Sequence, residues 1–319
     1  MVAASDGGYA IAGYSRNEDD HYRIFLVKTF SNGTLDWSQT YGEPSRRYAY
    51  SAVATSDGGY AITGYTRSSL SYTSYVCLIK TSADGTLSWI KTYEVGLISR
   101  GYSVIQTSDG GYAITGYSDY NAVLLKTDVN GTLQWSKTFS LNDYDSYGYS
   151  VRQTSDGGYA IAGSVYNYTA DTAAVYLIKT DENGTMQWDQ TYGGTTSYNY
   201  GYSIVTTPEG GYAIAGYTES MLDYSYDFLL VKVSNNGTLQ WTKTWDAGES
   251  ERARALVASQ DGSFVLAGHN RNQIILYKAT VTLEVGLANI ATTNNTITVY
   301  RGIDDSYWQY ARIQIWKAD

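Results

Sequence analysis

The chain has a single cysteine in 319 residues, Cys77, which excludes an intrachain disulfide framework. Proline (2) and methionine (3) are scarce, and histidine occurs only at His21 and His269. No apolar run approaches the roughly 18 residues of a membrane-crossing helix, so no direct membrane insertion is expected. The N-terminus has no secretory pattern and opens in mid-repeat, as a processed or trimmed chain would. Positive charge is also in deficit, with 22 Lys and Arg against 31 Asp and Glu, a formal charge of −9. A field of that sign repels phosphate backbones and anionic lipid, and no basic patch offsets it, so nucleic acid is excluded as a partner.

Glycine (32) and tyrosine (34) are abundant, and β-branched and aromatic residues fill the apolar runs. That composition favours strands over helices. Six related segments follow one another: SDGGYAIAGY from Ser5, SDGGYAITGY from Ser56 and again from Ser108, SDGGYAIAGS from Ser155, PEGGYAIAGY from Pro208 and QDGSFVLAGH from Gln260. Their acidic residues stand at Asp6, Asp57, Asp109, Asp156, Glu209 and Asp261, steps of 51, 52, 47, 53 and 52.

Each unit reads GYSVIQTS, an Asp-Gly turn, GYAITGY, a variable loop, AVLLKTD, an Asn-Gly turn and TLQWSKT. Asp-Gly and Asn-Gly suit two-residue type I′ turns, so each copy is expected to be two hairpins. Four short strands per unit without a helix predict an all-β, six-bladed β-propeller of four-stranded antiparallel blades, in one domain. The blades are expected near 2–47, 48–98, 99–146, 147–199, 200–250 and 251–301.

Symmetry about each Asn-Gly turn places Lys28 opposite Trp37, Lys80 opposite Trp89, Lys126 opposite Trp135, Lys179 opposite Trp188 and Lys232 opposite Trp241. A lysine stem lying over the indole is the structural expectation. A ring of ligand-binding lysines is the alternative.

The first unit has only a stub of its first strand, and a propeller ring must be closed or leave an open edge. Asn294–Tyr300 resembles the fourth strand, and Tyr310–Trp316 resembles the first. Residues 302–319 are therefore expected to close the ring, Ala311–Lys317 becoming the innermost strand of the first blade. An insertion is placed around Thr280–Thr293. A separate C-terminal strand on an open ring is the alternative.

Function is expected on the face carrying the loops of variable length, not on the invariant turns. Those loops supply Tyr144, Tyr166, Tyr168, Tyr198, Tyr200, Tyr224 and Tyr226 with Asp143, Asp145 and Asp223. Tyrosine gives rigid amphipathic contact area, and carboxylates fix orientation. This set suits glycans, protein surfaces or copies of the chain. Ordinary solvated or packed loop tyrosines are the plainer reading. An alternative is a polysaccharide hydrolase or lyase using Asp143, Asp145, Asp223 and Asp227, which would need two suitably spaced carboxyl groups.

No cofactor is expected and no metal, His21 and His269 being weak candidates beside Glu18, Asp19 and Asp20. Asp128-Val129-Asn130-Gly131 and Asp181-Glu182-Asn183-Gly184 start like calcium loops but lack the glutamate at position twelve. Cys77 aligns with core positions of the third strand. The sequons at Asn32, Asn130, Asn167, Asn183, Asn236 and Asn294 can accept N-glycans in a secreted protein. Four of them are also turn residues that geometry alone would select.

The run Thr107-Ser108-Asp109-Gly110-Gly111-Tyr112 resembles the Asp-box of sialidases, a turn motif without a catalytic role, and ends in Ile114 where that family prefers an aromatic. The run from Lys126 to Trp135 resembles the tryptophan-docking motif of quinoprotein-type propellers, which implies blade locking. The whole phrase TSDGGYAITGY…LLKTDVNGTLQWSKT, over roughly residues 2–278, is similar to a propeller repeat of secreted and cell-surface proteins of archaea and some bacteria. The tail NNTITVYRGIDDSYWQYARIQIW resembles a segment of archaeal surface proteins. These resemblances imply an extracellular or cell-surface, non-enzymatic binding or self-assembling glycoprotein.

Overall fold

The computed structural model describes residues 1–16, 22–42, 46–67, 72–141, 144–195, 197–221, 224–246, 250–259, 262–270 and 273–279, and the backbone of 296–303 and 307–314. Among these residues every element is a β-strand. The first sheet runs β1 (Val2–Ala3), β2 (Tyr9–Arg16), β3 (Tyr22–Thr29) and β4 (Leu35–Tyr41). The second is β5 (Arg46–Ala54), β6 (Tyr60–Arg67), β7 (Ser74–Thr81) and β8 (Leu87–Tyr93). The third is β9 (Ser99–Gln106), β10 (Tyr112–Ser118), β11 (Asn121–Thr127) and β12 (Leu133–Phe139).

One eight-stranded sheet follows: β13 (Asp145–Gln153), β14 (Tyr159–Asn167), β15 (Thr172–Thr180), β16 (Met186–Tyr192), β17 (Ser197–Thr206), β18 (Tyr212–Ser220), β19 (Tyr226–Val233) and β20 (Leu239–Trp245). The last sheet is β21 (Arg252–Ala258), β22 (Phe264–His269), β23 (Ile274–Ala279), β24 (Thr296–Ile303) and β25 (Tyr307–Gln314). Two compact units divide the chain: Met1–Thr169 with Tyr176–Asp189, and Ala170–Val175 with Gln190–Asp319.

In the first unit successive four-strand meanders pack against one another through neighbouring first strands β5, β9 and β13. This is a β-propeller with antiparallel blades. Val76, Leu78, Val104, Ile114, Val123 and Leu125 fill the layer between the second and third sheets. Cys77 is fully buried in the layer on the other side, and burial pushes its thiol up to about 12.

Several expectations change. Six separate sheets become five, because a single parallel bridge, Ala173↔Tyr198, fuses the strands of two repeats into the eight-stranded sheet. The closure strand is not part of the first sheet, since Tyr307–Gln314 pairs with β24, Ala311 opposite Val299 and Arg312 opposite Thr298. A contiguous hairpin costs less loop entropy than a strand exchanged across the chain. The insertion expected at Thr280–Thr293 lies outside the described residues.

The turns also differ from type I′. Gly131 N donates to Asp128 O at 3.1 Å and Asp128 N to Thr132 O at 3.0 Å, so Val129 and Asn130 are the central residues. Gly131 alone is left-handed, at φ +74°, and the register shifts between Lys126 and Thr127. This is a type I turn followed by a glycine bulge, which keeps the ordinary residues at negative φ. The facing pairs survive: Lys28↔Trp37, Lys80↔Trp89, Lys126↔Trp135 and Lys232↔Trp241.

The lysine amines do not spread over the indoles. Lys126 Nζ lies 2.8 Å from Asp109 Oδ2 and donates to Thr127 O at 2.8 Å, tying the two turns of one sheet together. Lys28, Lys80 and Lys179 do the same with Asp6, Asp57 and Asp156, and Lys232 stands 3.7 Å from Glu209.

The indoles turn to the next sheet. A Cβ placed on Gly85, Gly131 or Gly184 would meet the ring of Trp37, Trp89 or Trp135 at 2.5, 2.6 and 2.6 Å. Beside two of these contacts Tyr41 and Tyr93 donate to the carbonyls of Gly85 and Gly131 at 2.7 and 2.8 Å. Trp37, Trp89 and Trp135 also meet Tyr60, Tyr112 and Tyr159 edge-on at 6.1, 6.0 and 5.9 Å. Gln106 and Gln153 add bonds at 2.8 Å from the amides of Ser56 and Ser108 in the preceding sheets. The predicted tryptophan dock is thus present in the first unit.

Candidate functional site: a tyrosine row on bulged first strands

The repeated Gly-Tyr-Ser of the first strand is a bulge. Opposite β10, Gly101 pairs with Gly116 and Ser103 with Thr115, leaving Tyr102 without an opposite residue. The same shift singles out Tyr50 on β5, Tyr149 on β13, Tyr202 on β17 and Arg254 on β21. A bulge bends the strand and re-aims the extra side chain. It also brings the backbones close: a Cβ on Gly64, Gly116 or Gly163 would stand 1.7, 1.8 or 1.6 Å from the carbonyl oxygen of Tyr48, Arg100 or Tyr147. Only glycine fits there.

Because β5, β9 and β13 are neighbours, their bulged rings line up, Tyr50 to Tyr102 at 5.3 Å and Tyr102 to Tyr149 at 5.4 Å. Rings from the same ends of the strands extend the row. Tyr48 stacks on Tyr65 at 4.5 Å and 9°, and Tyr14 meets Tyr48 at 5.0 Å. Tyr147 stacks on Tyr117 at 4.8 Å and on Tyr149 at 5.8 Å. The Arg100 guanidinium lies 5.0 Å above Tyr65, whose hydroxyl burial raises to about 12. Tyr14, Tyr50 and Tyr120 keep large exposed surfaces. The second unit carries a shorter set, in which Tyr217 packs on Tyr200 at 4.9 Å and Tyr202 at 5.6 Å. There Arg254 lies 4.2 Å over Tyr202 and Arg252 3.9 Å over Tyr226.

Several loop residues expected from sequence are brought together. Tyr166 stands opposite Asp145 and meets Tyr168 edge-on at 4.7 Å, and Tyr168 donates its hydroxyl to Asp145, which raises that hydroxyl to about 12. Asn167 Nδ2 donates to the Tyr144 hydroxyl at 3.0 Å. In the second unit a hydrogen bond to Asp171 raises the Tyr198 hydroxyl, and Tyr226 meets Tyr217 at 5.4 Å. Tyr200 is raised to about 12 by burial. Tyr224 is exposed on a left-handed backbone, φ +57°.

Asp143, Asp223, His21 and Asn294 lie outside the described residues. His269 is exposed, its Nδ1 3.1 Å from the Asn270 carbonyl oxygen. Asn32, Asn130, Asn183 and Asn236 are exposed at turns, as sequon acceptors require, whereas Asn167 spends its amide on Tyr144. Asp227 is gathered with Asp246 and Glu251, their carboxyl oxygens within 4.8 Å, and Glu251 is fully buried. Sequence reasoning passed over Tyr50, Tyr102 and Tyr149. The repeated small-Tyr-Ser triplet beside a repeated glycine was the available signal.

No protein-family model matches the chain, and no curated protein does. Among solved structures it is similar to a puromycin hydrolase at 11% identity and a TM-score of 0.53, covering 98% of this chain and 51% of that one. It is also similar to the polysaccharide lyase Uly1 at 10% identity and 0.52, covering 98% and 90%. The β-propeller domain of the Trilobed protease from Pyrococcus furiosus aligns at 9% and 0.48, covering 96% and 91%. At such identities the likeness is one of fold.

Proposed function

We propose that the protein is a non-catalytic binding module, a single domain of six repeats at the cell surface or outside the cell, that takes glycans on its tyrosine row. The reading places it among the archaeal and bacterial surface proteins that its repeat resembles. The observation that carries it is the continuous set of rings from Tyr14 to Tyr149, with exposed faces at Tyr14 and Tyr50. Sugar rings present C–H faces to aromatic planes and hydroxyls to phenol groups, and rigid tyrosines bind at low entropic cost. The exposed sequon asparagines suit the same extracellular setting. The polysaccharide-acting alternative draws on Asp143, Asp145, Asp223 and Asp227, of which Asp143 and Asp223 lie outside the described residues.

A glycan array and a pull-down from surface extracts, run with the native chain and with a Tyr14→Ala, Tyr50→Ala, Tyr120→Ala, Tyr168→Ala variant, test the proposal. Ring contacts of about 0.5–1.5 kcal/mol each give an expected loss of at least about 10-fold in affinity. Binding unchanged by the four substitutions, or turnover of the bound glycan, overturns it.

A further inference from the structure

The slot just before each first-strand bulge holds a side chain that meets a ring following the repeated glycine of the preceding repeat. In β5 it is Tyr48, which meets Tyr14 at 5.0 Å, and in β13 it is Tyr147, stacked on Tyr117 at 4.8 Å. In β9 the same slot is Arg100, whose guanidinium covers Tyr65 at 5.0 Å and hydrogen-bonds the Tyr102 side chain. The second unit repeats the exchange within itself, with Tyr200 at this slot of β17 and Arg252 at that of β21, 5.4 Å over Tyr217. Packing alone does not call for the charge, since tyrosine fills the slot in β5 and β13. Arg100 is half-buried, its Nε is buried without a hydrogen-bond partner, and no carboxylate forms an ion pair with it among the described residues. The strut lysines of the same unit each have their acid. A partly desolvated cation without a counter-charge is costly, and an anion brought to it relieves that cost.

We propose that Arg100 makes the tyrosine row selective for acidic glycans, its guanidinium taking the carboxylate of a uronic-acid residue whose chain lies along the row. This deepens the glycan reading and rests on it. The guanidinium is planar, permanently charged and built to donate two parallel hydrogen bonds to a carboxylate. A neutral sugar offers only hydroxyls at that point and leaves the cation without its counter-charge. The formal charge of −9 repels an acidic polymer at a distance, but salt screens that field beyond about 10 Å at 0.1 M, whereas a direct ion pair acts at contact. The rings therefore set how tightly a glycan is held, and Arg100 sets which glycan it is.

The test is an array on which each uronic-acid oligosaccharide is printed beside its carboxyl-reduced, neutral form. It is probed with the full native chain, with Arg100→Tyr and with the four-tyrosine variant. The native chain is expected to bind its best acidic members at least about 10-fold more tightly than their neutral forms, as one charge-assisted contact provides. Arg100→Tyr should cut that ratio to about 3-fold or less while leaving affinity for the neutral forms within about 3-fold of native. It should melt like the native chain, because tyrosine is the residue that β5 and β13 carry at this slot. Arg100→Gln replaces it if it does not. Tyrosine-dependent binding without preference for the acidic form, or a preference that the Arg100 variant retains, overturns the proposal and leaves glycan binding standing. Absence of binding to every member, or binding that the four-tyrosine variant keeps in full, overturns both.

Discussion

Lys126 buries its stem and brings its ammonium to Asp109, the Thr127 carbonyl and Gln134, with 6% of the side chain exposed against 55% for Asp109. The cost of damage depends on which partner goes. Asp109→Asn leaves a buried cation without its counter-charge, whereas Lys126→Met removes the charge and keeps the volume. Urea denaturation should show a loss of about 1–3 kcal/mol for the first, toward the low end because Asp109 is half solvated, and less for the second. The sequence placed Lys126 opposite Trp135 correctly, because the glycine bulge adds one residue and so restores, beyond the turn, the register that a two-residue Asn-Gly loop would give. The destination of its amine depends on a different hairpin, that of Asp109, and this contact lies beyond the pattern of one turn.

The turn glycines separate two elements that look alike in sequence. Gly110 and Gly131 both hold left-handed backbone, at φ +83° and +74°, but only Gly131 lies under an indole. Alanine at either site costs about 1 kcal/mol of backbone strain. At Gly131 it must also displace Trp89, adding an overpacking cost of about 1–3 kcal/mol. Equilibrium unfolding should therefore rank Gly131→Ala clearly below Gly110→Ala, and equal losses would contradict the indole contact as the reason. Hairpin existence and strand order were legible at this level, because strand periodicity and turn residues repeat. The bulge at Tyr102 was not, since a one-residue register shift leaves apolar alternation almost intact. The pairing of β25 with β24 was also missed, because similarity to a first strand says nothing about which sheet edge is nearer along the chain.

For the whole molecule, the same lysine strut recurs in successive sheets, so acid acts on all of them together. Burial alone would raise Asp57, Asp109 and Asp156, but the bonds from Lys80, Lys126 and Lys179, from threonine hydroxyls and from glycine amides outweigh it and hold each at about 2. An unfolded aspartate titrates near about 3.9. Carboxyls with a depressed folded pKa add stability that is complete above that value and is lost as pH falls through the folded one. Melting temperature should thus stay level from neutral pH to about 5 and fall steeply between about 4 and 2. A decline beginning above about pH 5.5 would point to other groups.

A seam that repeats with the same indole over the same glycine, joined at two junctions of the first unit by the same tyrosine hydroxyl, makes sheets interchangeable. Duplication or loss of one whole unit in the gene leaves the remaining junctions chemically unaltered, whereas a deletion that stops partway through a unit separates a tryptophan from the glycine it covers. Variation in this lineage can therefore proceed by whole modules, while the seam residues stay fixed.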